Sequence, residues 1–228
     1  MSNQIIEMFS RIAGKYDLMN DLLSFTLHRL WKKKILKYCK TKPEAKFLDC
    51  ATGTGDIAIL LAKKFRELGS VLAIDLSEEM LAIAKEKAKR ITNIDFEVAD
   101  VEKLEYKDDS FDCATISYGI RNVAHLDKAL KEMARVVKSD GKVVILEFGM
   151  PKGLWGLLFK FYSSNIITFV GKIVVKDFFA YKYLHDTVAA FPCGNDFLKR
   201  MHYTNSYKST NMKRLCGGIS YIYVGVPK

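Results

Sequence analysis

The chain has 228 residues, of which 49% are hydrophobic and 27% charged. That balance argues against a disordered or fibrous chain and suits one domain with a sizeable core. Five scattered cysteines without Cys-x-x-Cys spacing argue against a disulfide framework or a zinc site and for a reducing cytosol. The net charge of +10 is uneven. Residues 1–46 hold ten basic and four acidic side chains, residues 47–150 fifteen and nineteen, and residues 151–228 eleven and three. An acidic middle between basic flanks is not what a uniformly basic nucleic-acid binder needs. One reading is ordinary solubility charge; the other is that the flanks form one basic face toward an anionic partner.

Met1 to Phe9 has no charged segment followed by an apolar one, so no targeting peptide is expected. Residues 1–46 are read as an N-terminal helical cap and 47–150 as a ligand-binding core. Residues 151–228 are read as a cap helix followed by C-terminal strands. In the core, strand is expected at Phe47–Asp49, Val71–Ile74, Ile94–Val98, Phe111–Ser117 and Val143–Phe148. Helical spacing occupies Ile57–Glu67, Ser77–Arg90 and Leu126–Val137. Ser77 suits an N-cap, and Glu78 and Glu79 suit the positive end of a helix dipole. Such alternation implies a parallel sheet with helices on both faces. Between Trp155 and Lys176 the apolar residues again have helical spacing, but Lys160 and Lys172 interrupt it. This is expected to be an amphipathic helix rather than a membrane span. Ile219–Val224, after Gly217-Gly218, reads as the last strand.

The most informative stretch is Asp49-Cys50-Ala51-Thr52-Gly53-Thr54-Gly55-Asp56, between the first strand and the first core helix. Gly53 and Gly55 permit a tight turn and close approach of backbone to a ligand. Asp75 ends the second strand 20 residues after Gly55, where an acid can accept from ribose hydroxyls. Gly53-x-Gly55-x-x-Ala58 also fits a dinucleotide fingerprint, in which the helix start cradles a pyrophosphate. Asp49 and Asp56 would repel that group, whereas they favour the sulfonium and ammonium of S-adenosylmethionine. Asp56 also reads simply as a helix cap. Asp100, after the third strand, stands where a side chain meets an adenine amino group, or is an ordinary loop aspartate. Ser117 ends the fourth strand, at the edge where ligands sit in such sheets.

Ser117 to Val123 should line the reaction cleft. It lacks the Asn/Asp-Pro-Pro-aromatic turn common in methyltransferases acting on nucleobase amines. Cys193 follows a proline, as a cytosine-C5 nucleophile does, but in the wrong place; Cys50 and Cys113 read as packed small residues. His28 and His125 are too isolated to group, and no metal cluster is visible.

Further segments carry a resemblance. These are Phe9–Ala13, Tyr16–Asn20, Ser24-Phe25, His28–Lys32, Asp112–Ser117, Gly119–Val123, Leu146–Phe148 with Pro151, Tyr183-Leu184 and Phe191-Pro192. Over nearly its full length the chain resembles the C-methyltransferases of ubiquinone and menaquinone biosynthesis. The resemblance implies a Rossmann-like class I methyltransferase fold: α/β, with a mostly parallel seven-stranded sheet, helices on both faces and a helical cap. It implies a cofactor site at Thr54, Asp75, Asp100 with Val101, and Ser117, beside Asp49, Gly53 and Gly55. Arg121 and Asn122 would face the substrate ring. The implied substrate is a polyprenylated quinol, demethylmenaquinol or a benzoquinol of the ubiquinone pathway. The chain departs from the family at Thr52, where a glycine is usual, at Gly149-Met150, where Ser-Lys is usual, and over Cys193–Asn195.

A quinone carbon is electrophilic, but a deprotonated quinol carries negative charge on the carbon ortho to oxygen, which can displace methyl from sulfur. Arg121 could stabilise that phenolate, with Asn122 and Tyr16 positioning the ring hydroxyls. Arg121 also reads as the partner of an acid, and Tyr16 as core. The 155–175 helix and Phe178-Phe179 would guide the isoprenoid tail, and the basic flanks would rest on anionic lipid. The protein is therefore expected in the cytoplasm, peripheral at the inner face of the membrane, with a homodimer as a further expectation. Two rivals are an RNA methyltransferase, favoured only by the charge, and a non-catalytic methyltransferase-like scaffold. Salt-dependent RNA binding and donor binding discriminate them.

Overall fold

A computed structural model describes residues 3–24, 26–39, 42–151, 153, 156–157, 183 and 186–228. Two helices, α1 (Asn3–Ser24) and α2 (Leu27–Ile35), precede β1 (Ala45–Cys50). Then come α3 (Asp56–Lys64), β2 (Gly69–Asp75), α4 (Glu78–Ala88), β3 (Ile94–Val98) and β4 (Phe111–Ser117). A 3-10 turn at Ile120–Asn122 leads to α5 (Leu126–Val136) and β5 (Val137–Phe148). The C-terminal part carries α6 (Asn195–Tyr203), β6 (Tyr207–Leu215) and β7 (Ser220–Pro227).

The strands form one seven-stranded sheet in the order β3-β2-β1-β4-β5-β7-β6. Strands β1 to β5 run parallel, and β7 lies antiparallel between β5 and β6. Strand order reverses next to β1, so the carboxyl ends of β1 and β4 diverge into a crevice, the usual ligand position in open α/β sheets.

Side-chain alternation sorts the core into two faces. Leu48, Ala114, Ile116, Val143, Ile145 and Tyr223 pack on one side with α5 and α6. Phe47, Cys113, Val144, Leu146 and Ile222 pack on the other with α2 and α3. Burial on both faces explains why the central strands read as continuous apolar runs. Ser77 caps α4 as expected, its Oγ accepting from Met80 N at 3.2 Å. Cys50 and Cys113 are packed core residues, and the Cys113 thiol lies 3.3 Å from that of Cys39.

Helix α6 and strand β6 were not legible in the sequence. β6 is an edge strand whose sequence, Tyr-Lys-Ser-Thr-Asn-Met-Lys-Arg-Leu, places polar side chains where a buried strand has apolar ones. Strand β5 begins six residues before the expected Val143, at Val137, across a register shift against β4. The expected helix over 155–175, with Phe178 and Phe179, lies outside the described residues, apart from isolated positions.

Candidate active site

The cleft is built at two positions where the backbone enters the left-handed region. Ala51, after β1, has φ 47°, and Tyr118, after β4, has φ 58°. Neither is a glycine, so each turn is held against its own preference by its surroundings. Backbone bonds from Thr52 N to Ile74 O (2.9 Å) and from Tyr118 N to Leu146 O (2.8 Å) supply part of that hold. Gly55 starts α3 at φ 83°, and a Cβ there would stand 2.9 Å from the Cβ of Ala84. Gly53 has φ 56°, and a Cβ there would meet nothing within 4 Å: the loop leaves open space on the cleft side.

A cleft of about 460 Å³ is lined by Gly53, Asp75, Met80, Ser117 and Asn122, with Ile6 and Phe9 contributed by α1. A neighbouring cavity of about 330 Å³ shares Ala51, Asp75 and Leu76 with it and continues to Asp100, Val101 and Val123. Asp75 thus stands between the two. Its Oδ2 accepts from Gly53 N at 2.8 Å and its Oδ1 from Ser77 N at 3.0 Å. A carboxylate has about four acceptor positions, so these two bonds do not exhaust it. Burial raises the Asp75 pKa, partly opposed by these backbone donors. The Oγ of Ser117 is buried with no hydrogen-bond partner among the described residues. Buried hydroxyls without a partner are uncommon in folded proteins. Asp100 is oriented by its own loop, its Oδ1 accepting from Glu102 N at 2.9 Å.

Other expected residues serve the cleft from behind. Asp49 is 1% exposed and accepts from Thr115 Oγ1 at 2.6 Å and from Thr52 Oγ1 at 2.7 Å. Burial pushes its pKa up to about 6, opposed by the two hydroxyls. Thr52, the position where glycine was expected from the resemblance, therefore acts as a clamp on Asp49. Thr54 is buried, and its hydroxyl donates to Asp17 of α1 at 2.6 Å.

Asp56 faces away from the cleft, accepting from Lys32 at 2.9 Å and from Lys87 at 2.6 Å. Burial alone would raise its carboxyl; the two ammonium groups hold it well below the usual carboxylate range. The expectation that the Asp56 charge faces a ligand is thus corrected: Lys32 and Lys87 neutralise it.

Arg121 is turned inward. Its side chain is 4% exposed, and Nη1 donates to Glu147 Oε1 at 2.8 Å and to Tyr118 O at 2.6 Å. Glu147, fully buried, also accepts from Arg121 N at 3.3 Å and Phe148 N at 2.8 Å. Asn122, next in sequence, stays in the cleft wall. The Tyr16 side chain lies outside the described residues. His28 is buried against Ser24 Oγ, 2.7 Å from Nδ1, and burial lowers its pKa to about 4. It is a neutral packing residue. Among the described residues no group of three or more His, Cys, Asp or Glu side chains could hold a metal ion.

Sequence reading gave residues 1–46 as a helical cap with Tyr16 toward the ring, but not the particular contacts of α1. Besides Ile6 and Phe9, Ser10 Oγ donates to Glu79 at 2.6 Å and shares a hydrogen bond with Ser77 Oγ at 3.0 Å. Further along, Asp17 accepts from Lys87 at 2.8 Å. The helix is fastened at two points along its middle, two turns apart. Nothing local in its sequence signals this, because every partner lies at least 37 residues away.

This strand order, with a glycine loop after β1 and an acid ending β2, defines a Rossmann-like methyltransferase. The chain matches the ubiE/COQ5 methyltransferase family over residues 1–227 and belongs to it. It is 48% identical over 226 residues to the ubiquinone/menaquinone biosynthesis C-methyltransferase UbiE of Bdellovibrio bacteriovorus, covering 98% of this chain and 96% of that protein. Among solved structures it is similar to a SAM-dependent methyltransferase, possibly a histamine N-methyltransferase, of Thermotoga maritima. The TM-score is 0.69 at 19% identity, over 97% of this chain and 99% of that one. Phosphoethanolamine N-methyltransferase 2 of Haemonchus contortus, solved with S-adenosyl-L-methionine, gives 0.63 at 17% identity, over 87% and 52%. These two likenesses establish the fold.

The buried pair gives a direct test. Glu147→Gln leaves the Arg121 charge buried without a counter-ion, and is expected to lower unfolding stability by about 3–5 kcal/mol, read as a fall in the urea midpoint at unchanged slope. A loss below about 1 kcal/mol would mean that the guanidinium reaches water on its own.

Proposed function

We propose that this chain transfers a methyl group from S-adenosylmethionine to a ring carbon of a polyprenylated quinol, with demethylmenaquinol as the substrate. The observation that carries the reading is the cleft. An acceptor carboxylate, an open glycine loop, an orphaned serine hydroxyl and Asn122 line it together, at the carboxyl ends of β1, β2 and β4. Membership of the ubiE/COQ5 family and the names of the relatives support the quinol.

The residues fit the donor. Asp75 has spare acceptor positions for ribose hydroxyls, Asp100 and Val101 line the adjoining cavity for an adenine, and Gly53 and Ser117 border the remainder. When bound, the donor supplies an electrophilic methyl on a sulfonium. The chain's own work is to bind, orient and exclude water. Ile6, Phe9 and Met80 make the cleft wall apolar, which strengthens polar contacts made inside it. Asn122 is the polar group placed to meet a ring oxygen of the reduced substrate. Arg121 serves by position: its charge is committed to Glu147, and it fixes the turn that carries Asn122.

Membrane association is a second part of the reading. No helix among the described residues is long and apolar enough to cross a membrane. Between Asp21 and Glu44 the chain carries no acid. There α2 exposes Leu27 and Leu30 beside Arg29 and Lys33, and Leu18 of α1 is exposed as well. Apolar side chains flanked by cations suit an anionic bilayer surface, which would bring the cleft to a substrate dissolved in lipid.

Two measurements check this. In the first, the purified protein is expected to methylate a reduced demethylnaphthoquinol, with mass spectrometry locating the new methyl on the ring. Asp75→Ala is expected to weaken donor binding about tenfold or more by calorimetry, the scale of a hydrogen bond to a charged group. A protein that binds NADH tightly and S-adenosylmethionine not at all would refute the assignment. In the second, flotation is expected with anionic vesicles, diminishing as salt is raised. Equal binding to neutral vesicles, insensitive to salt, would remove the electrostatic part.

A further inference from the structure

Tyr183 belongs to a segment that carries part of the family resemblance but has no role in the reaction as described so far. Its hydroxyl donates to Oδ1 of Asn122 at 3.0 Å, across 61 residues of sequence. Asn122 is 5% exposed and stands in the cleft wall, so its amide has little freedom to exchange partners with water. An asparagine amide is two-sided: Oδ1 accepts, while Nδ2 donates. Which side faces the cleft decides whether the residue attracts an acceptor or a donor.

The backbone around Asn122 is already fixed. Asn122 N donates to Gly119 O at 3.0 Å, and the preceding residue is held through both its amide and its guanidinium by Glu147. What this leaves open is the rotation of the terminal amide, and Tyr183 addresses that rotation alone. Burial raises the pKa of the Tyr183 phenol, although the nearby Arg121 charge opposes the rise. The phenol therefore keeps its proton at working pH and remains a donor.

We infer that Tyr183 is a positioning residue: by donating to Asn122 Oδ1 it presents the Nδ2 donor to the oxygen of the substrate ring. This rests on the reading above that the cleft takes a quinol. A quinol about to accept a methyl group on carbon carries developing negative charge on its oxygen, and that oxygen accepts hydrogen bonds. A flipped amide would set Oδ1 against it and oppose the reaction. The Tyr183 bond thus favours the developing phenolate, whose charge strengthens the hydrogen bond from Nδ2.

The test uses the full chain and four variants: Tyr183→Phe, Asn122→Ala, the double variant, and Asn122→Asp. Two quantities are read. One is single-turnover methylation of a reduced demethylnaphthoquinol. The other is equilibrium binding of 1-naphthol, a phenol probe, in the presence of S-adenosylhomocysteine, which requires no turnover. Tyr183→Phe is expected to lower both about tenfold, the scale of one misdirected hydrogen bond, while calorimetry shows unchanged donor affinity. In the Asn122→Ala background the same change is expected to cost nothing further, a coupling that a merely structural tyrosine would not show. Asn122→Asp keeps the shape and still accepts from Tyr183 but cannot donate, so it is expected to lose as much as Asn122→Ala. Equal naphthol affinity in wild type and Tyr183→Phe, a full additive loss in the double variant, or normal turnover by Asn122→Asp would each overturn the inference. If Tyr183→Phe loses donor affinity as well, its role is structural and the inference fails. Absence of turnover in the wild type, with naphthol coupling retained, would refute the methyl-transfer reading and leave the Tyr183–Asn122 clamp standing.

Discussion

The geometry of the cleft depends on one buried carboxylate. Glu147 lies at the end of β5 with no exposed surface, and it gathers the Arg121 guanidinium, the Arg121 amide and the Phe148 amide. An ionised group in such a place costs several kcal/mol unless its charge and its lone pairs are both answered. Here both are, and the answer comes from the turn after β4. That turn cannot relax without stranding a charge. Tyr118 is consequently held in a conformation its side chain disfavours, and Ser117 and Asn122 inherit fixed positions on either side of it. Arg121 Nε remains without a hydrogen-bond partner among the described residues, while the guanidinium carbon sits 5.4 Å from the Phe148 ring centroid. The ring face offers partial electrostatic compensation.

A second ionic group closes the opposite wall. Lys32 and Lys87 flank Asp56, and Lys87 also reaches Asp17, so α1, α2, α3 and α4 meet at one set of charges behind the glycine loop. Several charges sharing partners lose less side-chain freedom per contact than isolated surface pairs, which are worth little. The glycine loop is thereby backed by four helices of the amino-terminal part of the chain.

The parts of this arrangement that could be read from sequence are those set by local rules. Gly53 and Gly55 signal positive φ, Ser77 signals a cap, and runs such as Phe111–Ser117 signal a strand buried on both faces. Asp75 and Ser117 follow because the ends of such strands meet at the crevice. The parts that could not be read depend on which distant residues the topology brings together. Asp56 looked like a charge facing the ligand because its two lysines lie 24 and 31 residues away. Arg121 could be read either as meeting a substrate or as pairing with an acid, and Glu147 was not identified as that acid because it is a strand residue of apolar surroundings, 26 residues further on. Strand β6 was hidden for a different reason: an edge strand with one polar face carries the composition of a loop, and its lysines discourage pairing with another sheet.

The position of β7 also ties the sheet to pairings between distant parts of the chain. Ser220–Pro227 pair with β5 on one side and with β6 on the other, so this strand is not at the margin of the sheet but one place in from it. Without those eight residues β5 would present an open edge and β6 would have nothing to pair with. The pairing of β5 with β7 brings together segments more than 70 residues apart, such as Glu147 with Ser220. Non-local pairings of this kind are slow to form, and an unpaired strand edge is where aggregation competes with folding.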